Sequence, residues 1–253
     1  QQGGNYDVLT HDILVLQPGS IADIQDAYRL YFMEQKFTDM EPGTFENLPS
    51  LERLFITSNK LQKIKTGLFN SLTNLTLLHL NDNRISHIDP NAFDNLTRLE
   101  IIVLSNNRLT SLDSHWFEST PLINWISFSE NHLTEIPAHL FGNINSPEPL
   151  TAIFDGNQIA NIDKHAFKGL TATALLSLES NKIKTVTGDF LDGLEINVLS
   201  LKENDIKCID QEYFRAVFVA NKTDISKNPW TPQCLTEIQT WAEQHHKIVQ
   251  HAS

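Results

Sequence analysis

Cysteine is nearly missing: Cys208 and Cys234 are the two thiols among 253 residues. That is too few for a small scaffold held by many disulfides, and no cysteine-histidine set has zinc spacing. Basic residues are short as well, with 19 lysines and arginines facing 31 aspartates and glutamates, a formal net charge of −12. A surface that grips phosphates needs a basic stripe, so neither nucleic acid nor an anionic membrane surface is an expected partner. The plainest meaning of the excess acid is a well-solvated exterior. No stretch reaches the ~18 consecutive apolar residues of a membrane-crossing helix, and no membrane insertion is expected. Catalytic signatures are absent too: there is no G-x-S-x-G elbow, no phosphate-cradling glycine loop and no G-x-G-x-x-G. Of ten histidines, His245, His246 and His251 form the only cluster along the chain. Their spacing fits no metal motif and suits a solvated tail. No catalytic group, metal or cofactor is expected, and the chain is not expected to be an enzyme.

What is present is repetition. One skeleton recurs around Gln35, Asn59, Asn83, Asn107, Asn131, Asn157, Asn181, Asn204 and Asn228, at intervals of 24, 24, 24, 24, 26, 24, 23 and 24 residues. Leu51, Leu54, Ile56, Asn59, Leu61, Ile64, Phe69 and Leu72 are echoed by Leu75, Leu78, Leu80, Asn83, Ile85, Ile88, Phe93 and Leu96. This is the L-x-x-L-x-L-x-x-N-x-L signature of the leucine-rich repeat. One repeat cannot bury its own apolar residues, so neighbours must stack and function must lie on what the stack exposes. The expected fold class is an α/β solenoid, a leucine-rich repeat horseshoe with a parallel concave β-sheet, an N-terminal cap strand and a C-terminal helical cap. Its divisions are 1–26 as N-terminal cap, 27–219 as about eight repeats, and 220–253 as final strand and C-terminal cap.

Within each unit the L-x-x-L-x-L segment alternates as a strand does, apolar side chains inward. The asparagine that follows can cap the turn with its side chain, and stacked asparagines make a ladder. Phe45, Phe69, Phe93, Phe117, Phe141, Phe167, Leu191 and Phe214 fill the opposite wall as a buried spine. Gly142–Pro149 carries the one insertion, two residues long. Pro149 and Ala152 stand where Leu or Ile is expected, so a bulged loop is predicted there.

The two ends depart from the repeat. Asp12–Gln17 is a short apolar run closed by Pro18 and Gly19, predicting a cap strand and turn. The start at Gln1 reads as a mature end left after signal removal, or as a trimmed one. After Asn228-Pro-Trp230, Leu235, Ile238, Trp241 and Ala242 share one face of a predicted helix. Cys208 and Cys234 admit two readings: a disulfide tying the last repeat to its cap, worth roughly 3 kcal/mol, or two buried free thiols. The sequons at Asn74, Asn95 and Asn221 suit a secreted, glycosylated protein.

The x positions of L-x-x-L-x-L point out of the concave sheet, where polar residues are the default. Here Tyr31, Phe55, Leu77, Ile101, Val103 and Trp125 occupy them, rimmed by Arg29, Arg53, Asn81, Asp82 and Glu130. An apolar patch with a polar rim marks a protein-binding face, and aromatic and arginine side chains are its usual anchors. Sideways packing between strands is the alternative. Tyr31, Phe55, Leu77, Ile101, Val103, Trp125, Arg29 and Arg53 are the candidate partner-binding residues.

The repeat form resembles extracellular animal leucine-rich repeat proteins with 24-residue units, such as Toll-type receptor ectodomains. Asn228, Pro229, Trp230, Cys234, Leu235 and Trp241 match the C-terminal cap of such proteins. That cap ordinarily has four cysteines, and the N-terminal one a cysteine knot; neither is complete here. A narrower resemblance is to insect secreted members, including the mosquito leucine-rich immune proteins. Those often carry a cysteine pair and a coiled coil after the repeats, which are missing here, so their dimeric assembly is not implied. The resemblance implies a secreted recognition module for a protein partner or a glycan-bearing surface, in innate immunity. A membrane-receptor or adhesion ectodomain and a matrix structural protein are the alternatives. The oligomeric state is left open.

Overall fold

The computed structural model describes residues 4–7, 14–21 and 24–251. Eleven strands form one sheet in strict sequence order. They are Gly4–Asp7, Ala27–Met33, Arg53–Thr57, Leu77–His79, Ile101–Val103, Trp125–Ser127, Leu150–Ile153, Ala172–Ser177, Glu195–Ser200, Lys222–Asp224 and Ile248–Gln250. Every neighbouring pair is parallel. Parallel neighbours require a crossover, and from Ala27–Met33 to Lys222–Asp224 each crossover is the rest of one repeat, while the cap helix makes the last one. Two-residue ribbons on the far wall, such as Lys63–Ile64 with His87–Ile88, pair the crossovers to each other.

Alternation decides which side chains enter the core. In Arg53–Thr57, Leu54 and Ile56 are wholly buried while Arg53 and Phe55 stay half-buried on the other face. The same holds for Leu78, Ile102 and Ile126 in the next three strands. On the opposite wall the phenylalanine rings lie in a continuous stack. Centroid separations are 5.8 Å for Phe45–Phe69, 6.4 Å for Phe69–Phe93, 6.2 Å for Phe93–Phe117, 6.4 Å for Phe117–Phe141 and 5.4 Å for Phe141–Phe167. The stack then passes to Phe190, 6.1 Å from Phe167, rather than to a ring at Leu191, which is buried beside it. The shortened 23-residue interval that follows Asn181 lies in this unit.

The asparagine ladder joins coils as well as closing turns. Asn107 Nδ2 donates to the Leu104 and Ser105 carbonyls of its own turn and to Leu80 O of the preceding coil. Its Oδ1 accepts from Ile85 N–H, 2.9 Å away on that same preceding coil. Asn83, Asn131, Asn157, Asn181 and Asn204 repeat the pattern. The residue before each asparagine is left-handed, from Ser58 through Asp82, Asn106 and Glu130 to Lys227, and Glu34 before Gln35 is too. Gly156 takes that place in one turn, and a Cβ there would meet the Glu130 carboxylate.

The insertion bulges, and the register slips between Leu150 and Thr151. Pro149 is exposed, Leu150 is buried in its stead, and Ala152 is buried as the smallest inward residue of its row.

The N-terminal end keeps the expected strand and turn, at Val15–Leu16 and Pro18–Gly19, and the C-terminal end departs from expectation. Of the Asp12–Gln17 run, Asp12 and Ile13 lie outside the described residues. Val15–Leu16 pairs with Asp39–Met40 in a separate ribbon rather than heading the main sheet. Gly4–Asp7 heads it instead, with Tyr6 packed on the core and its hydroxyl donating to Asp26 Oδ1 at 2.7 Å. At the other end the expected solvated tail is an eleventh strand. Val249 packs on the core, and Lys247 Nζ donates to Val219 O at 2.9 Å. His245 stacks on Trp241 at 4.2 Å, and His251 contacts Gln239.

The helix Pro232–Gln244 starts at Thr231, whose hydroxyl accepts from Cys234 N–H, with proline at the first helical position. Cys234, Ile238 and Ala242 are its buried row, and Trp241 lies beside it against Phe214 and Phe218 at 5.9 and 5.7 Å. Cys208 and Cys234 form a disulfide with Cα atoms 5.5 Å apart, so the cap is covalently fixed to the last repeat.

Candidate functional site

Parallel in-register pairing turns two positions of each repeat into two rows across the sheet. The first row is Arg29, Arg53, Leu77, Ile101, Trp125, Thr151, Leu175, Val198 and Lys222. The second is Tyr31, Phe55, His79, Val103, Ser127, Ile153, Ser177, Ser200 and Asp224. All eight residues singled out from sequence stand in these rows. Trp125 is exposed at 42%, and the other seven are half-buried. Sideways packing accounts for part of that burial. Tyr31 stacks on Phe55 with centroids 4.6 Å apart and planes inclined by 10°.

The structure adds residues that sequence reasoning left out. His79 meets Phe55 edge-on at 5.0 Å, and burial holds its imidazole below the ordinary pKa of 6.5. A neutral imidazole therefore closes the aromatic row. Tyr28 lies under both arginines, with the Arg29 and Arg53 guanidinium carbons 5.5 and 6.0 Å from its ring centre. Past Trp125 the first row passes through Thr151 to two more apolar residues, Leu175 and Val198. The signal for these was in the sequence: the row positions of the later repeats carry apolar residues as well.

From Ser127 onward the second row is polar except at Ile153. Ser127 Oγ shares hydrogen bonds with Ser105 Oγ at 2.7 Å and Ser129 Oγ at 3.1 Å. Asp155 Oδ1 accepts from Ser177 Oγ at 2.6 Å and Glu179 N–H at 2.9 Å. Burial pushes the Asp155 carboxyl above its ordinary pKa, while those two hydrogen bonds pull the other way. Lys202 pairs with Glu179 beside it. Of the rim residues, Asp82 is tied to Asn81 and Asn106, and Glu130 is exposed.

Histidines prove to cluster by repeat, not by run. His115, His139 and His165 hold equivalent positions of three successive repeats, and the His139 and His165 rings lie parallel 5.7 Å apart. His245–His246 with His251 is therefore not the only grouping. Among the described residues no three His, Cys, Asp or Glu side chains are placed to hold a metal ion. A groove of about 990 Å³ opens on the phenylalanine side, near Lys164, Phe190 and Arg215, away from the two rows. Its walls mix three basic and three acidic side chains, Lys164, Lys168 and Arg215 with Asp189, Asp192 and Glu212.

The three sequon asparagines differ in setting. Asn95 and Asn221 are exposed, whereas half-buried Asn74 donates to Pro49 O and accepts from Arg98. No helix among the described residues is long and apolar enough to cross a membrane.

Comparison with known proteins agrees with this geometry. The leucine rich repeat family matches residues 49–109, 97–151 and 153–206. Among solved structures, the complex of TLR13 with ssRNA13 superposes with a TM-score of 0.76 at 19% identity, over 85% of this chain and 31% of that one. The chain thus spans about a third of that protein's length, and the likeness is one of fold. Among curated proteins none matches this sequence. With matched segments covering more than half of its length, the chain belongs to the leucine-rich repeat family.

Proposed function

We propose that this chain is a secreted, non-enzymatic recognition module that binds a protein partner through the N-terminal half of its concave sheet. One observation carries the proposal: Tyr31, Phe55, Leu77, Ile101, Val103 and Trp125 form a contiguous apolar surface on a face where the repeat pattern calls for polar side chains. The scaffold beneath is rigid, so little ordering would oppose association. The disulfide and the three sequons favour an oxidising, secretory setting. A role in innate immunity, and an animal or insect origin, rest on the resemblance to Toll-type and leucine-rich immune proteins. A receptor ectodomain would use the same face. A matrix protein would instead make its contacts along an edge.

The TLR13 complex contains ssRNA13, but an RNA ligand suits this chain poorly. Its net charge is −12, and Arg29 and Arg53 are the two cations of the rows' first half, too few for a phosphate track. A glycan-bearing partner would meet the same aromatic side chains. The test is capture from extracellular fluid by wild type beside Trp125→Ala. A specific protein retained by wild type and lost by the variant supports the proposal, and equal capture by both removes Trp125 from the site.

A further inference from the structure

Arg29 and Arg53 are opposed in register on adjacent strands, both half-buried and both set over the ring of Tyr28. Like charges on neighbouring strands repel and call for a counter-charge. Acidic residues outnumber basic ones in this chain by 31 to 19. Even so, among the described residues no carboxylate forms an ion pair with either arginine, whereas Lys63, Lys65, Lys202 and Lys227 all have one. Asp26, close in sequence, accepts from Tyr6 instead. Arg29 Nε is buried without a hydrogen-bond partner. Among the described residues, then, the two guanidinium groups are set against an aromatic ring with no carboxylate beside them.

We infer that Arg29 and Arg53 together seat a carboxylate of the partner, so that the concave face selects an acidic side chain beside apolar ones. This deepens the protein-binding proposal and rests on it. A planar guanidinium matches a carboxylate in two hydrogen bonds, and two such groups side by side can hold both oxygens. Leu77, Ile101 and Trp125 follow Arg53 in the same row. Trp125 therefore lies three strand spacings from Arg53, about 14 Å. A segment crossing the strands in extended form covers that distance in about four residues, and an even number keeps both side chains on one face. The preferred ligand is an extended peptide with an acidic residue about four positions from a bulky apolar one.

The probe is a blocked pentapeptide with glutamate first and leucine third and fifth. Its glutamine counterpart and inorganic phosphate are titrated alongside. The readout is the side-chain Nε–H resonances of the arginines in the whole protein. Arg108 and Arg215, both exposed, are internal controls. The expected result is saturating shifts at Arg29 and Arg53 with the glutamate peptide, and linear drift at the controls. Affinity should fall at least about fivefold for the glutamine peptide, and by the same factor for Arg53→Gln, as loss of a charge-assisted pair requires. Linear drift at all four arginines overturns the inference, as does equal binding of the two peptides or saturation by phosphate in preference to peptide. If any of these occurs while Trp125→Ala still abolishes capture, the binding face stands and the carboxylate seat falls.

Discussion

The ring of Tyr31 lies 4.6 Å from that of Phe55 and nearly parallel to it, although 24 residues separate them. One coil of the solenoid makes them neighbours. Offset-stacked pairs are worth about 1 kcal/mol beyond the area they bury. A double-mutant cycle of Tyr31→Ala and Phe55→Ala, followed by urea unfolding, should therefore show a coupling of about 1 kcal/mol. Strictly additive losses would mean that the rings only share a surface.

Asn107 satisfies backbone groups of two coils at once, so its removal should be felt in both. Asn107→Ala would leave Ile85 N–H without its partner and take from the Leu80 carbonyl one of two donors, the other being Asn83 Nδ2. An orphaned buried group costs about 1–3 kcal/mol, so a loss of about 2 kcal/mol is expected in denaturant unfolding. The exposed Gln158→Ala should change stability by less than about 0.5 kcal/mol. Comparable losses from both would show that the ladder does not bear on stability.

The bond between Cys208 and Cys234 spans 26 residues. A closed loop of that size stabilises by roughly 3.5 kcal/mol in the chain-entropy account. Reduction should therefore lower the unfolding midpoint and selectively raise amide exchange in Pro232–Gln244 and Ile248–Gln250. Uniform exchange across all repeats would contradict the cap's dependence on the bond.

Asp155 gives a pH signature of definite sign. Burial raises its folded pKa above the ordinary 3.8, so the fold disfavours its charged form. That contribution to stability is present at low pH and is lost as pH rises through the folded value. Asp155→Asn keeps an Oδ1 for Ser177 and Glu179 N–H. It should equal or exceed wild-type stability at pH 7, with the difference shrinking towards pH 4 and below. A variant less stable than wild type at pH 7 would place Asp155 in a favourable ion pair instead.

The regular part of this molecule was legible because one constraint recurs. Leu54, Ile56 and Asn59 need their counterparts Leu78, Leu80 and Asn83 to complete a core and a ladder. The outward rows were legible for the same reason, since inward positions fix outward ones. The terminal strands were not. Gly4–Asp7 and Ile248–Gln250 each have one partner strand and one inward apolar residue, Tyr6 or Val249, which leaves no period to detect. The grouping of His115, His139 and His165 was missed for another reason. Stacking places residues about 24 apart side by side, so proximity along the chain was the wrong measure. The slip from Pro149 to Leu150 shows the converse, a local insertion absorbed within one coil.

The central claim is that the apolar half of the concave sheet is where a partner docks. The most direct measurement is the dissociation constant of the captured partner for wild type, for Trp125→Ala, and for Lys182→Ala as an exposed edge control, with folding verified for each. The account predicts a loss of about tenfold or more for Trp125→Ala, the scale of an aromatic anchor, and no change for Lys182→Ala. Unchanged affinity in Trp125→Ala, with loss in the edge variant, would contradict it.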